Sequence, residues 1–293
     1  MEGWDYCHMD SDKIQILGLF CPLCGGDTEL IWKDNLIARR CKKCGVIFCP
    51  SSKETTSIYD ESYFERWYIK SRFKRKRYIR KLIEKIGKAW PLQPGNLLDI
   101  GCGVGIFLEI MKENGWKISG TEVSPYACRY CEKKEFDVVC CQLEEAGFLS
   151  SYFDLITAFD VIAHLYKPQN YLREIYRILK KDGLLIIKTP HHPAFLFRFA
   201  NIFRFTRKSK SLLHIPAQIF HFAPCSIKKF LSMNGFDILS TIRVNDIPAF
   251  FISFSLKSMF IFLEQLFLRI ISGSDSLIVI ARKKFPIKEE IKV

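Results

Sequence analysis

The chain has 293 residues, enough for one large domain or for a domain with a small appendage, and its 48% hydrophobic and 26% charged content excludes a disordered protein. A formal net charge of +13 points to an anionic partner (nucleic acid, an anionic membrane surface or a phosphorylated substrate) without choosing among them. Twelve cysteines, several in Cys-x-x-Cys pairs, stand behind an N-terminus, Met1-Glu2-Gly3-Trp4-Asp5, that lacks a basic start and an apolar run; both features point to a reducing, cytoplasmic setting and away from a secreted disulfide protein.

Cys21-Pro22-Leu23-Cys24-Gly25 and Cys41-Lys42-Lys43-Cys44-Gly45 are two Cys-x-x-Cys-Gly turns with a 16-residue spacer. Each turn aims two thiolates at one point, and its glycine permits the tight reversal around the sulfurs. Cys21, Cys24, Cys41 and Cys44 therefore match a structural Zn2+ site with every position filled by protein. Glu29–Trp32 and Leu36–Arg39 read as a hairpin turning at Asp34-Asn35. Residues 15–52 are thus expected to form a small zinc ribbon, with Cys49 a spare thiol and Cys7 and His8 without a role.

Residues 61–88 combine Tyr63-Phe64-Glu65-Arg66-Trp67-Tyr68 with Lys70, Arg72, Lys74, Arg75, Lys76, Arg77, Arg80 and Lys81, while Phe73, Ile79, Leu82, Ile83 and Ile86 keep a rough helical period. This is a basic helix, either a plain solvated face or a holder of RNA or lipid phosphates. It belongs to a linking segment, 53–95, whose joint to the next unit runs from Gly87 to Gly95 through Pro91 and Pro94.

Leu97-Leu98-Asp99-Ile100-Gly101-Cys102-Gly103-Val104-Gly105-Ile106 follows: an apolar strand ending in an acid, three glycines at alternate positions, then a helical pattern starting near Val104. The glycines allow a sharp turn and close approach of a ligand to backbone N–H groups at a helix start. A dinucleotide fingerprint would need glycine where Ile106 stands, and a Walker loop would need Gly-Lys-Ser/Thr. Lys117–Ser124 reads as a second strand carrying Glu122, an acid placed to accept both hydroxyls of a ribose. Pro125–Lys134 is a helix from a Ser124 cap. Its Cys128 and Cys131, with Cys140 and Cys141 of the third strand (Asp137–Cys141), are read as core cysteines and not as a second metal site.

A fourth strand and its turn span Tyr152–Leu165, an amphipathic helix Pro168–Lys181, a fifth strand Leu184–Pro190, a helix Ser226–Asn234, a sixth strand Asp237–Val244 and a seventh Ser276–Lys283. Two insertions interrupt this alternation, at 191–222 and 246–274. The first is rich in Phe and Arg (Phe195–Phe205). The second has a wide apolar helical face and no uncharged run near the ~20 residues that cross a bilayer, which suits an interfacial helix, a lid or a subunit contact.

The glycine turn resembles that of class I S-adenosylmethionine-dependent methyltransferases, and Phe159-Asp160-Val161-Ile162-Ala163-His164 resembles a run found in their small-molecule, ubiquinone-biosynthesis-like group. The resemblance implies an α/β fold over 96–285: a Rossmann-like, seven-stranded sheet with helices on both faces. It also implies that S-adenosyl-L-methionine is held by Asp99, Gly101, Cys102, Gly103, Gly105, Glu122, Val123, Gln142, Leu143, Phe159 and Asp160. Gln142 stands where the group often has an acid facing the adenine, and its amide oxygen can serve as acceptor. The resemblance also makes Tyr59 and Tyr63, on a helix that in such enzymes often covers the cofactor, candidate cofactor or substrate contacts. His164 would face the acceptor, where a neutral imidazole can take a proton from a hydroxyl.

The implied activity is methyl transfer to a hydroxyl or similar nucleophile of a small or lipid-linked molecule, in a cytoplasmic protein, peripheral at the membrane if the insertions meet lipid. Two alternatives stand beside it. One is a ribosomal RNA methyltransferase that uses the ribbon and basic helix to hold RNA. Against it, the second knuckle continues to Cys49 without the zinc-binding His such enzymes use, and an Asn-Pro-Pro-Tyr motif is absent. The other alternative is a non-catalytic, membrane-associated scaffold.

Overall fold

The structure is a computed structural model, and it describes residues 19–33, 37–50, 59–191, 218–246 and 274–284 together with Met259, Phe262, Leu263, Leu266 and Ile270. The Asp34-Asn35 turn, Cys7, His8 and most of both insertions lie outside the described residues. The expected hairpin is formed by β1 (Thr28–Lys33) and β2 (Ile37–Cys41), with β3 (Ile47–Phe48) pairing on β2.

The basic helix is broken into three parts: α1 (Glu61–Phe64), a π-helical stretch Glu65–Ile69, and α2 (Arg72–Ala89). Lys70 N–H reaches back to Glu65 O at 3.1 Å, the wider turn that marks a π-bulge.

The alternating core follows as β4 (Asn96–Ile100), α3 (Ile106–Glu113), β5 (Lys117–Thr121), α4 (Pro125–Glu132), β6 (Val138–Val139), β7 (Phe153–Phe159), α5 (Pro168–Ile178), β8 (Leu179–Pro190), β9 (Phe220–His221), α6 (Pro224–Met233), β10 (Phe236–Val244) and β11 (Ser276–Lys283). The helix after the glycine turn begins at Ile106, two residues later than the sequence pattern suggests, because Gly105 is still in the left-handed region at φ +70°.

Seven strands pair in the order β10-β11-β8-β7-β4-β5-β6. The inner pairs β4–β5, β4–β7, β5–β6 and β7–β8 are parallel, and β11 runs antiparallel between β8 and β10. Helices cover both faces, as the resemblance implied. On one face Leu97, Leu155, Ile186 and Ile278 pack with Leu82 and Ile86 of α2 and Phe107 and Met111 of α3. On the other, Ile156, Leu185 and Ile187 pack with Leu172 and Ile175 of α5 and with Phe230 and Leu231 of α6.

The ribbon is not a separate appendage. Phe220–His221, the tail of the first insertion, adds β9 to β3, completing a four-stranded sheet β1-β2-β3-β9. Cys21, Leu23, Cys41, Cys44, Val46 and Phe48 accordingly share one apolar core with the α5 and α6 face of the large sheet. A second correction concerns the core cysteines. Cys131 is buried as expected, but Cys128 and Cys140 form a disulfide that ties α4 to the residue after β6, with Cα atoms 5.8 Å apart.

Candidate cofactor and metal sites

The glycine turn sits where the strand order reverses, at the carboxyl ends of β4 and β5, the usual ligand crevice of an open α/β sheet. Gly101 N–H and Cys102 N–H both donate to Thr121 O, at 2.8 and 3.1 Å, which fastens the turn to the end of β5. Gly101 is at φ +67°, and a Cβ there would fall 2.6 Å from Val161 Cγ2, so glycine is required twice over. Gly103, at φ +55°, faces the rings of Phe64 and Tyr68.

Glu122 is the second half of this construction. One carboxylate oxygen accepts Gly103 N–H at 2.8 Å, and the other accepts Val123 N–H at 2.8 Å and Ser124 N–H at 2.9 Å. Burial raises its pKa against the lowering effect of those three donors. Asp99 lies deeper, between β4 and β7, where Thr157 Oγ1 donates to it at 2.6 Å. Burial pushes its carboxyl up to about 7, opposed by the Thr157 hydrogen bond and reinforced by the charge of Glu122.

Around the turn stand aromatic rings from the segment before α2, joined by Tyr126 of α4. Tyr59, Tyr63, Phe64, Tyr68 and Tyr126 form a chain of ring contacts with centroids 5.3–6.0 Å apart. Ser124 Oγ donates to Tyr59 O at 2.7 Å and anchors this cover to the residues beside Glu122. Burial, helped by Tyr68, Glu122 and Asp160, lifts the Tyr59 phenol to about 12. Leu143 is buried in a short 3₁₀ turn, Leu143–Glu145, whose Glu145 N–H donates to Gln142 O at 3.1 Å.

Beyond β7 the chain turns at Asp160, a non-glycine residue at φ +60°. Its N–H donates to Lys188 O at 2.8 Å, and its carboxylate accepts Lys188 Nζ at 2.6 Å. Lys188 also pairs with Asp246, at 2.8 Å, and Asp246 in turn accepts Tyr78 Oη at 2.8 Å and Ser276 Oγ. Burial opposes the charge on Lys188, but Asp160 and Asp246 outweigh it and hold the amine well above the ordinary range. The Asp160 side chain is 44% exposed; desolvation by its neighbours raises its pKa, opposed by Lys188 and more weakly by nearby His164. His164 is half-buried, with its N–H donating to Val161 O at 2.9 Å. Asp99, Gly101, Cys102, Gly103, Gly105, Glu122, Val123, Phe159 and Asp160 thus gather at the ends of three adjoining strands, β4, β5 and β7.

Lys188, Asp246 and Tyr78 were not foreseen as part of this mouth. The signal was a lysine directly after the apolar run Leu184-Leu185-Ile186-Ile187 on the same strand, which needs a counter-charge if buried. The basic helix, conversely, is partly neutralised from within. Arg72 and Lys76 pair with Glu109 of α3, and Lys76 and Arg80 with Glu113.

The four knuckle thiols converge as expected, with all sulfurs within 4.8 Å of one another. Cys21 and Cys44 sulfurs are 3.7 Å apart, and those of Cys24 and Cys41 are 3.4 Å apart. A tetrahedron with ~2.3 Å Zn–S bonds has edges of about 3.7 Å, so the donor set fits a zinc ion. Cys44 N–H also donates to Cys41 Sγ, at 3.3 Å.

The strand order, with the glycine turn at the strand reversal, is that of the class I S-adenosylmethionine-dependent methyltransferase fold. A family profile described as a methyltransferase domain matches residues 71–241, more than half of the chain, and the chain belongs to that family. It is similar to a ubiquinone biosynthesis O-methyltransferase of Glaesserella parasuis, at 30% identity over 109 residues, covering 33% of this chain and 46% of that one. The chain thus matches less than half the length of that relative. An S-adenosylmethionine-dependent methyltransferase of Archaeoglobus fulgidus shares the fold at TM-score 0.51 and 21% identity, over 76% of this chain and 100% of that one. A Haemonchus contortus phosphoethanolamine N-methyltransferase, solved with phosphomonomethylethanolamine and S-adenosylhomocysteine, does so at TM-score 0.53 and 18% identity, over 70% of this chain and 53% of that one.

Proposed function

We propose that the protein transfers the methyl group of S-adenosyl-L-methionine to a hydroxyl or similar nucleophile of a small or lipid-linked molecule. The observation that carries this reading is the joint construction of the glycine turn and Glu122, in which Gly103 N–H and the Glu122 carboxylate lock one crevice at the strand reversal. The backbone of Gly101, Cys102, Gly103 and Gly105, with Asp99 behind it, would receive the methionine part. Glu122 and Val123 would receive the ribose, Gln142 and Leu143 the adenine, and Phe159 and Asp160 would form the rim.

S-adenosyl-L-methionine brings a methyl group already activated on a sulfonium, so the protein's task is mainly to align the acceptor. Tyr59, Tyr63, Phe64 and Tyr68 exclude water above the turn. A ring nitrogen of His164 takes the acceptor's proton, and the neighbouring Asp160 carboxylate favours the imidazolium that results. No covalent nucleophile is required.

A structural Zn2+ ion is proposed for Cys21, Cys24, Cys41 and Cys44. A lipid-linked acceptor and contact with an anionic membrane surface are supported by the second insertion. There Met259, Leu263, Leu266 and Ile270 are helical, exposed, and spaced by four, three and four residues along one face. No helix among the described residues is long and apolar enough to cross a membrane.

The test is transfer of tritiated methyl from S-adenosyl-L-methionine into a cell extract split into lipid, RNA and small-molecule fractions. Label in the lipid or small-molecule fraction is expected, and label confined to RNA overturns the acceptor class. Calorimetry showing no cofactor binding at about 1 mM overturns the enzyme reading as a whole.

A further inference from the structure

Ile219 and Phe220 are gripped from two sides. Both of their N–H groups donate to Ala163 O, at 2.9 and 3.0 Å, immediately before His164. On the opposite side Ile219 O accepts Cys49 N–H at 3.0 Å, while Phe220 and His221 pair with Phe48 and Ile47 of β3. β3 begins only three residues after the metal-ligand position Cys44, and Val46 between them takes Cys41 N–H at 2.9 Å.

The knuckles are held from the large domain as well. Gln169 of α5 donates to Pro22 O, and Lys229 of α6 donates to Lys43 O at 2.7 Å. Phe48, Phe220, Phe222 and Phe230 carry the contact inward as a row of rings about 6 Å apart. The cofactor crevice is braced differently, by Thr121 O, by the Glu122 carboxylate and by the Ser124–Tyr59 bond, and none of these groups belongs to the ribbon.

We propose that the four-cysteine module is the positioning element of the acceptor side: with metal bound, it fixes the Ala163–His164 turn through Ile219 and Phe220, and loss of metal disables acceptor alignment while cofactor binding persists. This deepens, and rests on, the metal and methyltransferase readings above. Without a cation the two knuckles are joined by the β1–β2 hairpin and the Lys42–Asp27 backbone bond alone, so the second knuckle no longer fixes the register of β3, and the β3–β9 pairing loosens. The Ile219 and Phe220 amides are then free to leave Ala163.

The experiment uses the full-length, zinc-loaded protein, with zinc content measured before and after treatment with a chelator. Hydrogen–deuterium exchange is expected to accelerate about tenfold or more at residues 46–49, 164 and 219–222, and to stay within about twofold at residues 97–101 and 118–122. S-adenosylhomocysteine affinity by calorimetry is expected to remain within about threefold, while methyl transfer into the extract falls by about tenfold or more. Reloading with Zn2+ or Co2+ restores both, with cobalt–thiolate absorption tracking the recovery.

Unchanged exchange at 164 and 219–220 after verified zinc loss overturns the proposal. So does equal loss of protection in both halves, or a parallel loss of S-adenosylhomocysteine binding. Ile219→Pro tests the clamp without touching a ligand: it should keep one zinc per chain and normal S-adenosylhomocysteine affinity, yet speed exchange at His164. If exchange at His164 is unaltered in that variant, the clamp is refuted. Fresh protein that holds no metal and gives no cobalt–thiolate band overturns the metal reading, and the proposal with it. Failure of the loaded protein to bind S-adenosylhomocysteine overturns the methyltransferase reading, before any metal is removed.

Discussion

Lys188 shows how one side chain can shape the mouth of a site that it does not line alone. Its side chain is 3% exposed, and its amine joins two carboxylates that arrive from the end of β7 and from the end of β10. Lys188→Met would remove the cation that both acids share. We expect a loss of about 3 kcal/mol in urea unfolding, the lower end for a broken buried pair because Asp160 is open to solvent on one side. Asp99 makes a prediction of opposite character. Folding raises its pKa from 3.8 to about 7, so between these values the folded protein holds a proton that the unfolded chain releases. Stability contributed at this residue therefore falls as pH rises from about 4 to 7, and the full cost is present above 7. Asp99→Asn should unfold at a higher urea concentration than the unsubstituted protein at pH 8, by up to about 4 kcal/mol at ~1.4 kcal/mol per pKa unit, and most of the gain should be gone at pH 4.

At the scale of elements, the strand–turn–helix of 96–113 carries five of the eleven expected cofactor contacts. Gly101→Ala would set a Cβ against Val161 in a left-handed backbone, and should weaken S-adenosylhomocysteine binding by about tenfold or more in calorimetry. Elements of this kind were legible because their causes are local. Apolar runs, Pro125 at a helix start and Gly235 after a helix end mark most of the core strands and helices within two or three residues of their observed bounds. The exception is β8, which starts at Leu179, five residues before the expected Leu184, because Leu179–Gly183 continue the strand instead of the helix and turn. The turn of glycines and the acid ending the next strand carry their meaning in sequence spacing alone, as do the four knuckle cysteines. What was not legible depends on partners far along the chain. β9 is two residues long and has no pattern of its own, and it exists because β3 offers an edge. The Lys188–Asp246 pair, the Cys128–Cys140 disulfide and the α2–α3 ion pairs likewise join groups that only the fold brings together. The α2–α3 pairs also revise the reading of the basic helix. Arg80 and Glu113 are about half exposed and add little stability, but each pair removes a cation from the face available to phosphates.

For the molecule as a whole, the ribbon and the methyltransferase sheet share a single core, so neither is a module that can be lifted out. Deleting residues 1–50 would uncover Phe220, Phe222 and Phe230, which are 1%, 0% and 1% exposed in the intact chain. The truncated protein is expected to bind a hydrophobic dye and to associate on size exclusion, whereas a separable ribbon would leave a monomer that binds none. The shared four-stranded sheet also has a bearing on how the chain is made. Ile47 and Phe48 leave the ribosome long before His221 and Phe220, and β4 through β8 must be synthesised in between. During that interval β3 is an unprotected edge carrying two apolar residues, the kind of edge that recruits other chains. Closing it needs a contact of high sequence separation, which places the joining of the two sheets among the slow, late steps of folding. The nascent protein thus holds a finished hairpin and an unfinished sheet together, and newly made chains are most exposed to aggregation just before residue 221 finds its strand.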